Sequence, residues 1–290
     1  MSPPEYCLSR PFRTLLTTTT IGWMLSAASV AAVPDTGAIA ITPNGEISAL
    51  EQRASDGSRR AQYSLSLRYA NGDGVARDPK ARIALLMASA NSGYVPAQNS
   101  LGWVYREGLG RAKDLDRAIR WFRLAALQGS ALALENLGEM YEAGEGLNRD
   151  DSVAFSFYTL CAARDVNADH LTREVEAGTA TAVLSCRLRL AKRLIQSAEG
   201  NTDATTLGFA AAWLEMGLAE STDVKDISTI GTRARQRETE AKELLEALRP
   251  RLSERDLADQ KQLMANWKPF MRDLVDETPY PSILALTTID

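Results

Sequence analysis

Few residues of this chain have the types and spacings that do chemistry. His170 is the one histidine among 290 residues, with Asp169 and Glu174 close by. Metal sites and acid–base triads lean heavily on histidine, so a single one is a strong constraint. It sits at the polar start of a helical stretch, where a surface residue is expected. Glu135, Glu139 and Glu142 lie close along one predicted helix. Paired carboxylates do acid–base work only where a cleft raises their pKa, and nothing in the surrounding sequence suggests burial. The motifs G-x-S-x-G, H-E-x-x-H and G-x-x-x-x-G-K-[ST] do not occur. The Gly-x-Gly pairs Gly72/Gly74, Gly108/Gly110 and Gly144/Gly146 have no strand before them. They read as turns between helices rather than phosphate loops. The sequence therefore assigns no catalytic residue, no cofactor and no metal site.

Those glycine pairs recur at a fixed interval, and the interval organises the rest of the chain. Ala61, Ala97 and Ala133 open three copies spaced 36 residues apart without a gap. Leu65, Leu101 and Leu137 align, as do Tyr69, Tyr105 and Tyr141, and Asp78, Asp114 and Asp150. A fixed period of this size is the signature of a solenoid. Each copy predicts two antiparallel helices. In the first, Ala97, Leu101 and Tyr105 share one face. Gly108 and Gly110 end it, and Asp114 offers an N-cap oxygen to the second helix. The second helix buries Ala118, Phe122, Ala125 and Ala126. One hairpin cannot cover its own apolar stripe, so it must stack on the next. The expected fold class is all-α, an α-solenoid of antiparallel helix pairs with helical caps.

The pattern A-x-x-x-L-G-x-x-Y-x-x-G-x-G…D…A-x-x-W-F/Y-x-x-A-A-x-x-G resembles the Sel1-like repeat, a relative of the TPR, from Ala61 to about Ala163. Before it, Ala54 and Gly57 resemble the second half of a preceding repeat. After it, residues 211–221 with Trp213 look like the second helix of a degenerate repeat. Residues 252–269, with Leu257, Leu263 and Trp267, resemble a closing helix. The layout expected is a signal peptide over 1–32, a mobile segment over 33–45, the repeat array over 46–164, a degenerate repeat and C-terminal helical region over 165–275, and a mobile tail over 276–290. Within 165–275, the charged run 221–250 reads as one long helix, either a solvated amphipathic helix on the flank of the array or a partner-binding helix.

A solenoid offers an extended concave surface, lined in arrays of this type by the first helices. The non-core positions there are Tyr63 and Arg68, then Asn99, Trp103 and Arg106, then Glu135, Glu139 and Glu142. These are the candidate partner-binding residues. Trp103 has two readings. An exposed Trp beside an Arg is the composition of a binding hot spot, and the alternative is packing between adjacent repeats.

The composition is 45% hydrophobic and 24% charged, an ordinary globular balance, and the net charge of −4 lacks the basic footprint of a nucleic-acid binder. Arg10 and Arg13 precede an uncharged stretch that ends in small residues at Ser29, Ala31 and Ala32. This reads as a cleaved signal, or as a retained membrane anchor, and the body is expected to be periplasmic or secreted. Cys7 lies in the signal; Cys161 and Cys186 remain. In an oxidising compartment they form either a disulfide or two separate buried thiols.

The resemblance implies a non-enzymatic interaction scaffold or regulator with a protein partner. Secreted bacterial members of the family bind sensor ectodomains or belong to polysaccharide-export assemblies in the envelope. The alternative is an exported enzyme acting on cell-wall or β-lactam substrates, as in a cysteine-rich branch of the family. That branch carries a cysteine pair in each repeat, whereas the copies from Ala61 and Ala97 have none.

Overall fold

The computed structural model describes residues 43–164, 173–198, 204–222 and 232–256, with 258 and 262. Among them there is no strand. The helices are α1 (Pro43–Ser55), α2 (Arg59–Asn71), α3 (Pro79–Asn91), α4 (Val95–Glu107), α5 (Leu115–Leu127), α6 (Ala131–Ala143), α7 (Asp151–Ala162), α8 (Arg173–Ala198), α9 (Ala204–Thr222) and α10 (Thr232–Leu248). The expected signal segment, His170 and most of the expected closing helix, including Leu257, Leu263 and Trp267, lie outside the described residues. So do Cys7 and the expected tail.

The loop chemistry sets the hairpins. Each first helix ends on a glycine in the left-handed region: Gly72, Gly108 and Gly144 have φ of +82°, +74° and +69°. A side chain there would be strained, and each glycine N–H returns to a carbonyl in the last turn. Each second helix then starts on an aspartate. Asp78 accepts from the amides of Lys80 and Ala81, Asp114 from Arg117, and Asp150 from Ser152 and Val153. The aspartate backbone closes the loop, since the N–H groups of Asp78, Asp114 and Asp150 donate to the carbonyls of Tyr69, Tyr105 and Tyr141. Three repeats thus share one loop, formed by α2–α3, α4–α5 and α6–α7.

Packing within a hairpin depends on one close approach. Gly102 on α4 and Gly138 on α6 face the rings of Phe122 and Tyr158 from the paired helices. A Cβ built on Gly102 would lie 2.6 Å from two carbons of the Phe122 ring, and one on Gly138 would lie 2.5 Å from Tyr158. Phe122 is fully buried, as are Ala118, Ala125 and Ala126, the face expected of the second helix. Gly102→Ala is therefore expected to destabilise the fold by about 2 kcal/mol through overpacking. In an ordinary helix interior the same change stabilises by roughly 1 kcal/mol. Urea denaturation decides the sign, and a midpoint above wild type would refute the packing argument.

The periodic part extends in both directions. α1 is the second helix of a preceding unit, and Gly57 after it holds the same positive φ as Gly93 and Gly129 after α3 and α5. α1 begins at Pro43, so the helical region starts inside the segment expected to be mobile. α8 and α9 pack as a fourth, irregular hairpin. Trp213 on α9 is buried beside Leu214, in register with Trp121 and Phe122. The close approach is inverted there: the glycine is Gly217 on the second helix, where an added Cβ would meet Leu184 at 2.7 Å. Cys161 at the end of α7 and Cys186 in α8 are joined in a disulfide, with Cα atoms 6.1 Å apart and both sulfurs fully buried. Arg187, also buried, donates from Nε to the carbonyl of Ala162 at 3.1 Å, adding a polar tie at the same junction.

α10 lies within the charged run read as an amphipathic helix. Ala234, Ala241, Leu245 and Leu248 form a buried face that packs on α9 and α8. Among the described residues, no helix is long and apolar enough to cross a membrane.

Candidate interaction surface

On α6 the core is built from Ala133, Leu137 and Tyr141, so Glu135, Glu139 and Glu142 project to the other side. The structure places arginines against all three. The Arg237 Nη1 of α10 lies 2.7 Å from Glu135 Oε1, and its Nη2 lies 3.8 Å from Glu139. Arg189 of α8 forks between Glu139 and Glu142, each at 2.7 Å. Arg106 of α4 donates to Glu139 at 3.1 Å and to Asn136 at 3.2 Å, and reaches Glu145 at 2.9 Å. Lys113 meets the other oxygen of Glu145 at 3.0 Å. Tyr158 donates to Glu142 at 2.7 Å. One ionic network thus ties α4, α6, α8 and α10 together across residues distant in sequence.

Burial makes this network more than a set of surface pairs. The side chains of Glu135, Glu139, Arg106 and Arg237 are only 11–13% exposed. Burial pushes the Glu135 carboxyl up, against the charge of Arg237. This corrects the expectation of an unburied carboxylate. A raised carboxyl can serve as a general acid, but Glu135 is covered by Arg237, and the nearby cleft lies beyond it. Burial also raises Glu145, yet the hydrogen bonds and charges of Lys113 and Arg106 outweigh that and hold it below its ordinary value. Burial alone would lower Arg106; its hydrogen bonds to Glu139 and Glu145, with their charges, reverse the direction and strengthen its hold on the proton. Burial raises the Tyr158 hydroxyl, which acts here as a donor to Glu142.

The expected partner-binding residues therefore divide. Glu135, Glu139 and Arg106 are held by internal ion pairs and are largely covered. Glu142 is exposed but is gripped by Arg189 and Tyr158. Arg68 pairs with Glu46 of α1 at 3.3 Å, and both remain solvated, a geometry worth little. Tyr63 is half-buried, edge-on to Tyr94 with ring centroids 5.4 Å apart, and its hydroxyl is 3.4 Å from Ser100. Asn99 accepts from Asn136 at 3.4 Å. Trp103 is half-buried, packs on the core and carries the Arg106 guanidinium 5.7 Å from its ring centre. It combines features of both sequence readings.

Arg189 and Arg237 were not legible as partners of this face. Part of the signal was present: Arg106 and Glu142 occupy equivalent repeat positions, so the sign reverses from one copy to the next. Opposite charges at equivalent positions of stacked repeats point to pairing between repeats. Beyond the regular copies no register remained to extend that inference.

A cleft of about 420 Å³ opens between α7, α8 and α10, beside Glu142. Phe155 of α7 is exposed at its edge, and the Arg193 guanidinium of α8 lies over that ring at 5.8 Å. Among the described residues, no group of three or more His, Cys, Asp and Glu side chains is placed to hold a metal ion.

The repeated loop, the stacked hairpins and the absence of a strand among the described residues define a helical repeat solenoid. Residues 59–85, 95–130 and 131–165 match the Sel1 repeat, so the chain carries this repeat in three places. The chain is similar to a crystal structure of a Sel1 repeat protein from Oxalobacter formigenes, at 36% identity, over 41% of this chain and 89% of that one, with a TM-score of 0.39. It is also similar to c5321, a protective antigen present in uropathogenic Escherichia coli strains that displays an SLR fold. There the identity is 20%, over 83% of this chain and 64% of that one, with a TM-score of 0.42. No curated protein matches the chain.

Proposed function

We propose that the protein is a non-enzymatic scaffold or regulator, exported to the bacterial periplasm or secreted, that binds a protein partner. The observation that carries this reading is the run of three Sel1 repeats in one stacked array, since such repeats generally mediate protein–protein interaction. The titratable groups support it as well: the carboxylates of α6 are spent on arginines of neighbouring helices. Export rests on the signal-like segment before residue 33. On this reading the partner is a sensor ectodomain or a component of an envelope assembly. The part of the first-helix face open to it is the α2–α4 end, where Tyr63, Asn99 and Trp103 are half-exposed.

The test is capture from a periplasmic extract, followed by affinity measurement with the purified partner. One stoichiometric protein is expected. Trp103→Ala should weaken its binding by about tenfold or more, as for an aromatic anchor. Because Trp103 also touches the core, binding is measured well below the melting temperature of the variant. Hydrolysis of a chromogenic β-lactam by the purified protein, with no partner captured, would overturn the scaffold and favour the enzyme.

A further inference from the structure

The cleft between α7, α8 and α10 differs in charge from the rest of the molecule. Four cationic side chains, Arg189, Lys192, Arg193 and Arg237, line it with only two carboxylates, Glu142 and Glu240. This local excess of two positive charges sits on a chain of net charge −4. Three of the cations are committed. Arg189 holds Glu139 and Glu142, Lys192 pairs with Glu240, and Arg237 holds Glu135. Arg193 differs: it is exposed, it lies over the ring of Phe155, and among the described residues it makes no ion pair. Asp151, which feels the charge of Arg193, is already bonded by Arg149. A guanidinium lying over a ring keeps its N–H donors for a bidentate acceptor. Phe155, 37% exposed, supplies apolar surface beside it.

We propose that this cleft binds an acidic segment of a protein partner, with a carboxylate on Arg193 and an adjacent apolar side chain against Phe155. This rests on the scaffold reading and names the kind of partner. The size and the walls favour a peptide over a broad anionic surface. A space of about 420 Å³ takes a few side chains. Glu142 and Glu240 in the walls repel an extended polyanion, while a segment with one or two spaced carboxylates avoids them.

Fluorescence anisotropy on the full-length protein tests this with a labelled octapeptide of serines that carries two spaced glutamates, each beside a leucine, against the same peptide with lysine in place of each glutamate. The glutamate peptide should bind, more weakly as salt rises, and the lysine peptide should not. Arg193→Glu should weaken binding by about tenfold or more, and Phe155→Ala by several-fold. Arg60→Glu, which changes net charge equally at a remote exposed site on α2, should leave it unchanged. No binding of the glutamate peptide, equal loss in Arg60→Glu, or preferential binding to vesicles rich in anionic phospholipid would each overturn the proposal. The capture experiment separates the two readings. A partner held equally by wild type and Arg193→Glu refutes the cleft and leaves the scaffold standing. Capture of nothing by any variant refutes the scaffold.

Discussion

Arg237→Ala is expected to cost about 3–5 kcal/mol of folding stability, the range for removing one member of a buried ion pair. The reason is what stays behind. Glu135 is buried under α10, and Arg237 supplies the charge opposite it at 2.7 Å. Both side chains are well under one third exposed, so solvent screens the pair little. Without the guanidinium, the Glu135 carboxylate keeps its desolvation and loses the compensation. Its folded-state pKa, already raised by burial, should rise further. A carboxyl whose folded pKa lies above its unfolded value favours the fold while protonated. That contribution is complete below the unfolded pKa and is lost as pH rises through the folded value. The variant should therefore recover stability relative to wild type as pH falls from 7 towards 5, and the second change Glu135→Leu should restore much of the loss at pH 7. Denaturation midpoints of the single and double variants across that range measure this. A single variant as stable as wild type at neutral pH would show that α10 does not depend on the pair.

Loss of the Cys161–Cys186 bond should be nearly as costly. The bond closes 25 residues of chain. By the chain-entropy model such a crosslink is worth between about 3 and 4 kcal/mol. It joins the last regular hairpin to the irregular one, where register no longer guides stacking. Cys161→Ala/Cys186→Ala should lower the melting temperature markedly, and wild type in a thiol reductant should approach the same value. The buried sulfurs predict slow reduction of the native protein. Two free thiols titrated in non-reduced, denatured mature protein, which lacks Cys7, would show that the bond does not form in the cell.

What could be read from the sequence depended on periodicity. The hairpins from Ala61, Ala97 and Ala133 were legible because three copies at one spacing turn a weak local signal into a register. The loop glycines, the capping aspartates and the small residues of the second helices all followed from it. The role of Gly102 and Gly138 was visible as a repeated letter but not as a contact, because only the packed structure shows a ring lying on the glycine. The first-helix face was the harder part. Its polar residues were placed on the correct side of the helix, but whether they meet solvent or other side chains is decided by what stacks beside them. Arg189 and Arg237 come from helices that have lost the repeat pattern. No spacing in the sequence brings a residue 102 positions away onto Glu135.

That separation also has a consequence in time. The chain is made from its N-terminus, so Glu135 leaves the ribosome 102 residues before Arg237. At ordinary elongation rates the interval is about 5–20 s. Helical hairpins form in far less than that, so the three regular repeats can fold while Glu135 still faces water. The ionic network is completed last, and α10 is the element that completes it. A nascent or truncated chain ending before α10 would leave the Glu135 carboxylate hydrated, where the finished protein keeps it covered.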